Sequence, residues 1–441
     1  MEIQLTFSDL VAFLPTLGIS GFLFWFLFLL RAFFAHGYKP YTEKYWRRTA
    51  VVAVNYRESE AVVRRSIDSV LSGSKKPTVF VVVFNGKLLG YEHALAEEYR
   101  AKKVHFIFRE EGDKRRAMAA GARWVIARNK RVPLSKQVEF IVHMDGDVLW
   151  RKSTLGELIK PFVNPAIDAV ASAQEYLNPD ESVWTMTQAL LSHWGHNIGQ
   201  KWQSAVNSSS CLRGRTNAFR ISTISQPGFL EEFEDWYFFG NRRKSGDDGT
   251  LTFLTLKYNY EREKKIGGTF VQTTSIIETL AEPGWEKFYQ MRVRCISNTH
   301  TRYFDGIFHR WFWAQNWRFK LELVTSVIIP LAFFTCTVAF VIALATGLVT
   351  VARGGELVAI VPAGVMGAWF MVGRLLRAPR WGTSNWLRLV RWPVMVAAFV
   401  FPLMFARWHA TYQIFKPQHS WGSRTDQTVA VSFKQENRLF D

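Results

Sequence analysis

Asp145-Gly146-Asp147, Lys114-Arg115 and Gly246-Asp247-Asp248 are the groups in this chain whose types and spacing suit chemistry. Asp145 and Asp147, two carboxylates separated by one glycine, can turn toward a single point and offer oxygen ligands to a hard divalent cation, Mg2+ or Mn2+. The same three residues also read as a polar turn leaving a strand. Lys114 and Arg115 follow Gly112-Asp113 and open a predicted helix. There, basic side chains add to free backbone N–H groups, which suits a diphosphate; the competing reading is a solvated basic turn. Asp247 and Asp248 precede the helical stretch Thr250-Leu251-Thr252-Phe253-Leu254, a place for a general base and equally for a helix cap.

Positioning these groups takes a scaffold, and the chain offers one between residues 49 and 175. Apolar runs at 49–54, 78–84, 104–108, 138–144 and 168–174 predict strands, and 58–72, 91–101, 114–128 and 153–163 predict helices. Such alternation implies a mostly parallel sheet covered by helices, with ligands beyond the carboxyl ends of the strands. Asp145-Gly146-Asp147 leaves the fourth strand. Asn55-Tyr56-Arg57-Glu58 leaves the first, where a base or ribose can dock, and Asn85-Gly86 leaves the second. Residues 183–205 repeat apolar positions at helical spacing with three tryptophans, which fits a bilayer-interface helix or a core-facing one.

The 441 residues carry a formal net charge of +18 and 18 tryptophans, a balance that fits a membrane surface, an anionic ligand or nucleic acid. Long apolar blocks at 10–35, 323–350, 356–373 and 392–408 favour the membrane, and the basic residues just after the first block place the next region of the chain in the cytosol. Three scattered cysteines, Cys211, Cys295 and Cys336, argue against a disulfide framework. Interleaved Trp and Arg between 285 and 320 suit a membrane interface, or stacking on sugars or bases.

Taken together, these motifs resemble the processive, membrane-integrated family 2 glycosyltransferases, the group of hyaluronan, chitin and cellulose synthases, over roughly residues 45–425. The resemblance implies a GT-A-type, Rossmann-like α/β cytosolic domain at 45–280, joined to interfacial amphipathic helices and a small transmembrane bundle. The remaining parts are a transmembrane helix in 1–40, interface helices in 281–322, a transmembrane region in 323–415 and a cytosolic tail at 416–441. It implies that Asp145 and Asp147 hold the metal and nucleotide sugar, that Lys114-Arg115 meets the diphosphate, and that Asp248, beside Asp247, is the base. Asn55, Arg57, Glu58, Asn85 and Arg294 join the nucleotide-sugar site. Arg213, Gly214, Arg220 and Cys295 fall near the acceptor. Trp421-Gly422-Ser423-Arg424 resembles a motif that closes over the site, through Trp421 and Arg424.

The chain departs from the pattern in three places. Cys295 stands where a tryptophan usually stacks near the acceptor, Asn85 stands where an aspartate is usual, and one N-terminal apolar segment replaces two. The expected activity is inverting transfer from a UDP-sugar to a growing polysaccharide at the plasma membrane, with Mg2+ or Mn2+ and a lipid bilayer as partner and no nucleic acid. Transfer of one sugar to a lipid acceptor, and a membrane-tethered module binding nucleic acid or anionic lipid, are the competing readings.

Overall fold

Val51–Val54 sits at the heart of the sheet, buried on both faces, as near-continuous apolar runs in parallel strands require. The computed structural model describes residues 26–27, 29–213, 215–332, 335 and 405–416. Ten strands run in chain order: β1 Thr49–Asn55, β2 Val79–Asn85, β3 Val104–Arg109, β4 Phe140–Asp145, β5 Leu149–Trp150, β6 Ala169–Tyr176, β7 Thr216–Arg220, β8 Tyr237–Phe238, β9 Asn241–Arg242 and β10 Thr269–Thr279. Eight of them form one sheet in the order β3-β2-β1-β4-β7-β6-β10-β5. Strands β3, β2, β1 and β4 are parallel, as predicted, and each predicted strand is present within about two residues of its expected ends.

Beyond β4 the sheet changes character. Strand β7 inserts antiparallel between β4 and β6, β10 runs parallel to β6, and β5 closes the edge antiparallel to β10. This mixed half brings Thr216, at the start of β7, beside Met144 near the end of β4. Arg215 is thereby delivered to the Asp145-Gly146-Asp147 turn, and the Asp145 N–H donates to the Arg215 carbonyl at 2.9 Å.

Helices cover both faces. α1 (Glu60–Leu71) and α2 (Glu92–Arg100) bury Val63, Ile67, Val70, Leu95 and Tyr99 on one side. α3 (Lys114–Arg131) packs on the other, together with later helices. α4 (Val183–Trp194) continues through a wider π turn at Gly195–Gln200 into Lys201–Ser204. Met186, Leu190, Ile198 and Trp202 along this path are all buried, so its apolar stripe faces the protein interior. α5 (Phe229–Glu234), α6 (Asp247–Glu263) and α7 (Trp285–Gly306) come next in the chain.

The stretch 285–320 divides its aromatics. Trp311, Phe312 and Phe319 join Phe253 and Tyr303 in a separate core against α6, whereas Trp285, Trp313 and Trp317 remain partly exposed. Arg31 pairs with the buried Glu322 at 3.0 Å, tying residues near the N-terminus to the helix Trp317–Leu323. Among the described residues no helix is long and apolar enough to cross a membrane. The apolar blocks at 10–35, 323–350, 356–373 and 392–408 lie wholly or largely outside those residues.

The contact between α3 and the sheet is close. A Cβ on Gly121 would lie 2.3 Å from Val52 Cγ1 and 3.3 Å from Val83 Cγ2, so the helix can approach β1 and β2 only because residue 121 has no side chain. Gly121→Ala should destabilise the fold by about 1–3 kcal/mol through overpacking. At an unobstructed helix-interior position Ala would instead stabilise relative to Gly. A Gly121→Ala denaturant midpoint equal to or above the parent's would refute this packing account.

Candidate active site

The end of one strand and the starts of two helices converge on one ammonium group. Asp145 is the last residue of β4, Lys114 the first of α3 and Asp247 the first of α6. Lys114 Nζ lies 2.6 Å from Asp145 Oδ1 and 2.8 Å from Asp247 Oδ2, with Lys114 itself buried. Burial alone would pull the ammonium down. Asp145 and then Asp247 overcome that pull and hold Lys114 above the ordinary lysine range.

The two halves of Gly246-Asp247-Asp248 behave differently. Gly246 adopts φ 78°, a left-handed turn, and a Cβ there would strike Asn298. Asp247 starts α6, and although burial works to raise its carboxyl, Lys114 and Arg115 hold it below the usual range. Asp248 is raised, first by burial and then by the like charge of Asp247, with Arg302 opposing. Its Oδ1 accepts from the Gly249 N–H at 2.6 Å and its Oδ2 faces Cys211 Sγ at 3.8 Å. Thr252 Oγ1, accepting from the Leu212 N–H at 3.0 Å, pins the Cys211-Leu212 loop to the same helix face.

Asp147 is paired with Arg215, which also donates to Thr279 Oγ1 at 2.9 Å. The turn between the aspartates is tight, because a Cβ on Gly146 would fall 1.9 Å from Asn55 Oδ1. Among the described residues no group of three or more His, Cys, Asp or Glu side chains could hold a metal ion. What the turn offers is two partly accessible carboxylates, with side-chain exposures of 24% for Asp145 and 20% for Asp147. That set fits a Mg2+-like cation, which is bound through one or two carboxylates and completes its shell with phosphate oxygens and water. It does not fit a closed all-protein cage.

At the ends of β1 and β2, the Tyr56 ring lies over two glycines. A Cβ on Gly86 (φ 88°) would come within 2.9 Å of the ring, and one on Gly112 (φ 66°) within 3.6 Å. Asn55 and Asn85 are buried beneath it, and each has an Oδ1 with no donor among the described residues. Arg57, at φ 55°, is exposed, and the Glu58 carbonyl accepts from Tyr91 Oη at 2.6 Å. Tyr56 lies within the Asn55-Tyr56-Arg57-Glu58 stretch read from the sequence as a docking place, but is not itself among the residues assigned to the site there.

The structure corrects two of the sequence-based assignments. Arg115 is fully buried and donates to the Phe233 and Ser245 carbonyls at 3.2 and 2.6 Å and to Thr250 Oγ1 at 2.9 Å, between the rings of Phe233 and Trp236. Its guanidinium therefore braces α5 and the start of α6 instead of presenting itself to a diphosphate. Arg220 stands at the far end of β7, in register with Phe140. That is five residues from Asp145, or roughly 17 Å along the strand. It pairs with Asp168 at 3.7 Å, donates to the Phe162, Asn164 and Ile167 carbonyls and stacks on Phe140 and Phe162, a structural role away from any acceptor.

Of the residues expected near an acceptor, Arg213 and Cys295 are exposed. Tyr176, at the end of β6, lies within electrostatic reach of Arg215, Arg292 and Cys295. Arg294 is half-buried on α7. Arg302, buried on the same helix, donates to Cys211 Sγ at 3.6 Å and was not singled out from the sequence as a site residue. The signal that could have found it is the interleaving of Trp and Arg between 285 and 320, which includes it. Gly214, Trp421 and Arg424 lie outside the described residues.

Residues 50–221 match the family described as "Glycosyl transferase family 2". A protein named "Type 2 glycosyltransferase" from Zymoseptoria tritici is 23% identical over 241 residues, covering 53% of this chain and 46% of that protein. Chitin synthase V of Metarhizium acridum is 25% identical over 290 residues (62% and 15%), and human hyaluronan synthase 2 is 26% identical over 196 residues (43% and 32%). The chain spans less than half the length of the curated relatives it matches. Among solved structures, the mannosyltransferase PcManGT from Pyrobaculum calidifontis, in complex with GDP-Man and Mn2+, superposes with a TM-score of 0.59 at 15% identity, over 91% of this chain and 100% of that one. Residues 50–221 thus resemble a family 2 glycosyltransferase domain, and the described residues adopt a GT-A-like fold with a mixed sheet.

Proposed function

We propose that the protein transfers sugar from a UDP-sugar to an acceptor hydroxyl with inversion, that Asp248 is the base, and that the product is a polysaccharide made and exported at the plasma membrane. The observation that carries the chemistry is the Lys114 ammonium joining the strand-end Asp145 to Asp247, with the raised carboxyl of Asp248 one residue on. Support for the product comes from relatives named chitin synthase and hyaluronan synthase and from the long apolar blocks of the sequence.

Tyr56, Arg57 and Glu58 border the base and ribose, with Asn55 and Asn85 supporting them from beneath. Asp147 and Asp145 would hold Mg2+ or Mn2+, which when bound would supply electrostatic stabilisation of the charge that gathers on the diphosphate. Lys114, already buried and positive, adds to that stabilisation without reorganising. The acceptor oxygen attacks the anomeric carbon from the side opposite the diphosphate. The bond from that carbon to the diphosphate oxygen breaks, its electron pair leaves with UDP, and the acceptor proton passes to Asp248. A carboxyl raised above its ordinary range is the stronger base of the pair, and Asp247, held down by Lys114, stays ionised beside it.

Single-sugar transfer to a lipid acceptor is a second reading, favoured by Cys295 in the place of a stacking tryptophan. Product length on a gel separates the two, a ladder marking polymerisation and one discrete product marking single transfer.

Asp248→Asn should lower glycosyl transfer by roughly 10²–10⁴-fold while UDP-sugar affinity stays within about twofold. Normal transfer in this variant would reduce Asp248 to a helix cap, since Asn caps as well as Asp. The pH profile supplies a second test. The base works ionised, so kcat/KM should fall as pH drops through the Asp248 pKa, on a limb above the ordinary aspartate value of about 3.9. Asp247→Asn removes the neighbouring charge and frees Lys114, and both changes move that limb to lower pH; an unmoved limb assigns it to another group. A third test concerns Asp147→Asn, which should raise the Mn2+ concentration needed for half-maximal UDP release by about tenfold or more through loss of a ligand. An unchanged metal requirement would remove Asp147 from the cation site.

A further inference from the structure

Both carboxylates of the Asp145-Gly146-Asp147 turn already face a positive side chain, and the two pairings are unequal. Lys114 Nζ is shared between Asp145 at 2.6 Å and Asp247 at 2.8 Å, and its side chain is 7% exposed. Arg215 Nη1 pairs with Asp147 Oδ2, and its other contact is a neutral hydroxyl, Thr279 Oγ1 at 2.9 Å. The Arg215 side chain is 28% exposed. A dication entering the turn has to take an oxygen from one of these two groups, and like charges repel more strongly in a half-buried site than in water. Arg215 is the one that can give way. It would leave a single carboxylate, whereas Lys114 would leave two, and solvent already reaches it.

The backbone at Arg215 does not depend on the ion pair. Its carbonyl accepts from the Asp145 N–H at 2.9 Å, and the next residue, Thr216, is in register with Met144. The side chain can therefore leave Asp147 while β4 and β7 stay in place. Thr279, at the end of β10, is buried and gives the guanidinium a second fixed partner. An arginine keeps its charge at any working pH. Its planar fork of donors also matches phosphate oxygens, so a diphosphate is the ligand that can replace the carboxylate Arg215 gives up.

We propose that Arg215 is a resident counter-ion of the cation site, which holds Asp147 against free Mg2+ or Mn2+ and releases it when a nucleoside diphosphate supplies oxygens to the guanidinium. The proposal rests on the assignment of Asp147 to the cation made above. A free dication must break the pair uncompensated. With a diphosphate present the guanidinium is compensated, so each ligand raises the affinity for the other by the same factor. Arg215 thus makes the site answer to the two together and not to the cation alone.

The test titrates the purified full chain with Mn2+, reading unbound Mn2+ from its EPR signal, with and without saturating UDP. Without UDP, Arg215→Gln should bind Mn2+ about tenfold more tightly than the parent, the order expected for one charge-assisted hydrogen bond that no longer has to be broken. With UDP the two proteins should bind Mn2+ alike, so the coupling between nucleotide and cation shrinks. Arg215→Met, also neutral, should follow Arg215→Gln and stands in for it should the glutamine variant fold poorly. Arg215→Lys keeps the charge and should stay near the parent. Asp147→Asn separates this proposal from the reading beneath it. If that variant binds Mn2+ as the parent does, the cation assignment falls and this proposal with it. If it binds Mn2+ more weakly, yet the neutral Arg215 variants bind free Mn2+ no more tightly than the parent, Arg215 braces the turn and this proposal alone is overturned. Equal tightening with and without UDP also overturns it, by separating the guanidinium from the diphosphate.

Discussion

One buried ammonium holds the site together. Taking Lys114, Asp145 and Asp247 out of water is costly, and the cost is offset only because each carboxylate lies within 3 Å of the same Nζ. Remove the lysine and two half-buried carboxylates face each other uncompensated, an arrangement that carboxyls escape by taking up protons or by moving apart. The pairing also solves a problem of chain topology. It joins the end of a strand near residue 145 to the start of a helix about a hundred residues later, so Asp145 and Asp247 are fixed relative to one another by a charge and not by a loop.

Around that ammonium the charges are arranged in pairs whose environments differ. Arg215 neutralises Asp147, and Arg115, fully buried, anchors the backbone at Ser245 just before the two aspartates. Asp247 and Asp248 are adjacent in sequence yet are driven in opposite directions, one down by Lys114 and the other up by burial and by its neighbour. Two carboxyls pushed apart in this way can divide the work of holding charge and accepting a proton.

How much of this the sequence disclosed depends on the range over which each element is determined. β1 to β4, β6 and the helices between them are fixed by local periodicity, and the Asp145-Gly146-Asp147 turn by its position at a strand end. The insertion of β7 between β4 and β6, and the late strand β10, depend on partners far away in the chain, so no local pattern announces them. The misassigned basic residues show the same limit. Lys114 and Arg115 are indistinguishable by type and position, but a helix start points one residue at the cleft and the next, rotated by about 100°, into the core. Arg220 closes a motif that is contiguous in sequence, and an extended strand carries it away from Arg215 regardless.

The same rotation gives α6 two faces. Its first turn presents Asp248 to the loop at Cys211, while Phe253 and Leu256 enter the core shared with Tyr303 of α7. A helix of 17 residues packed on both sides is stiff, so the carboxylate cannot follow changes on its opposite face through backbone movement alone. What can cross is a side chain, and the gap left by Gly249 admits one, the Arg302 guanidinium. Any residue with a Cβ at position 249 would expel Arg302 and isolate the two faces. The glycine after the paired aspartates is thus required for electrostatic contact across the helix, quite apart from the turn that Gly246 makes before them.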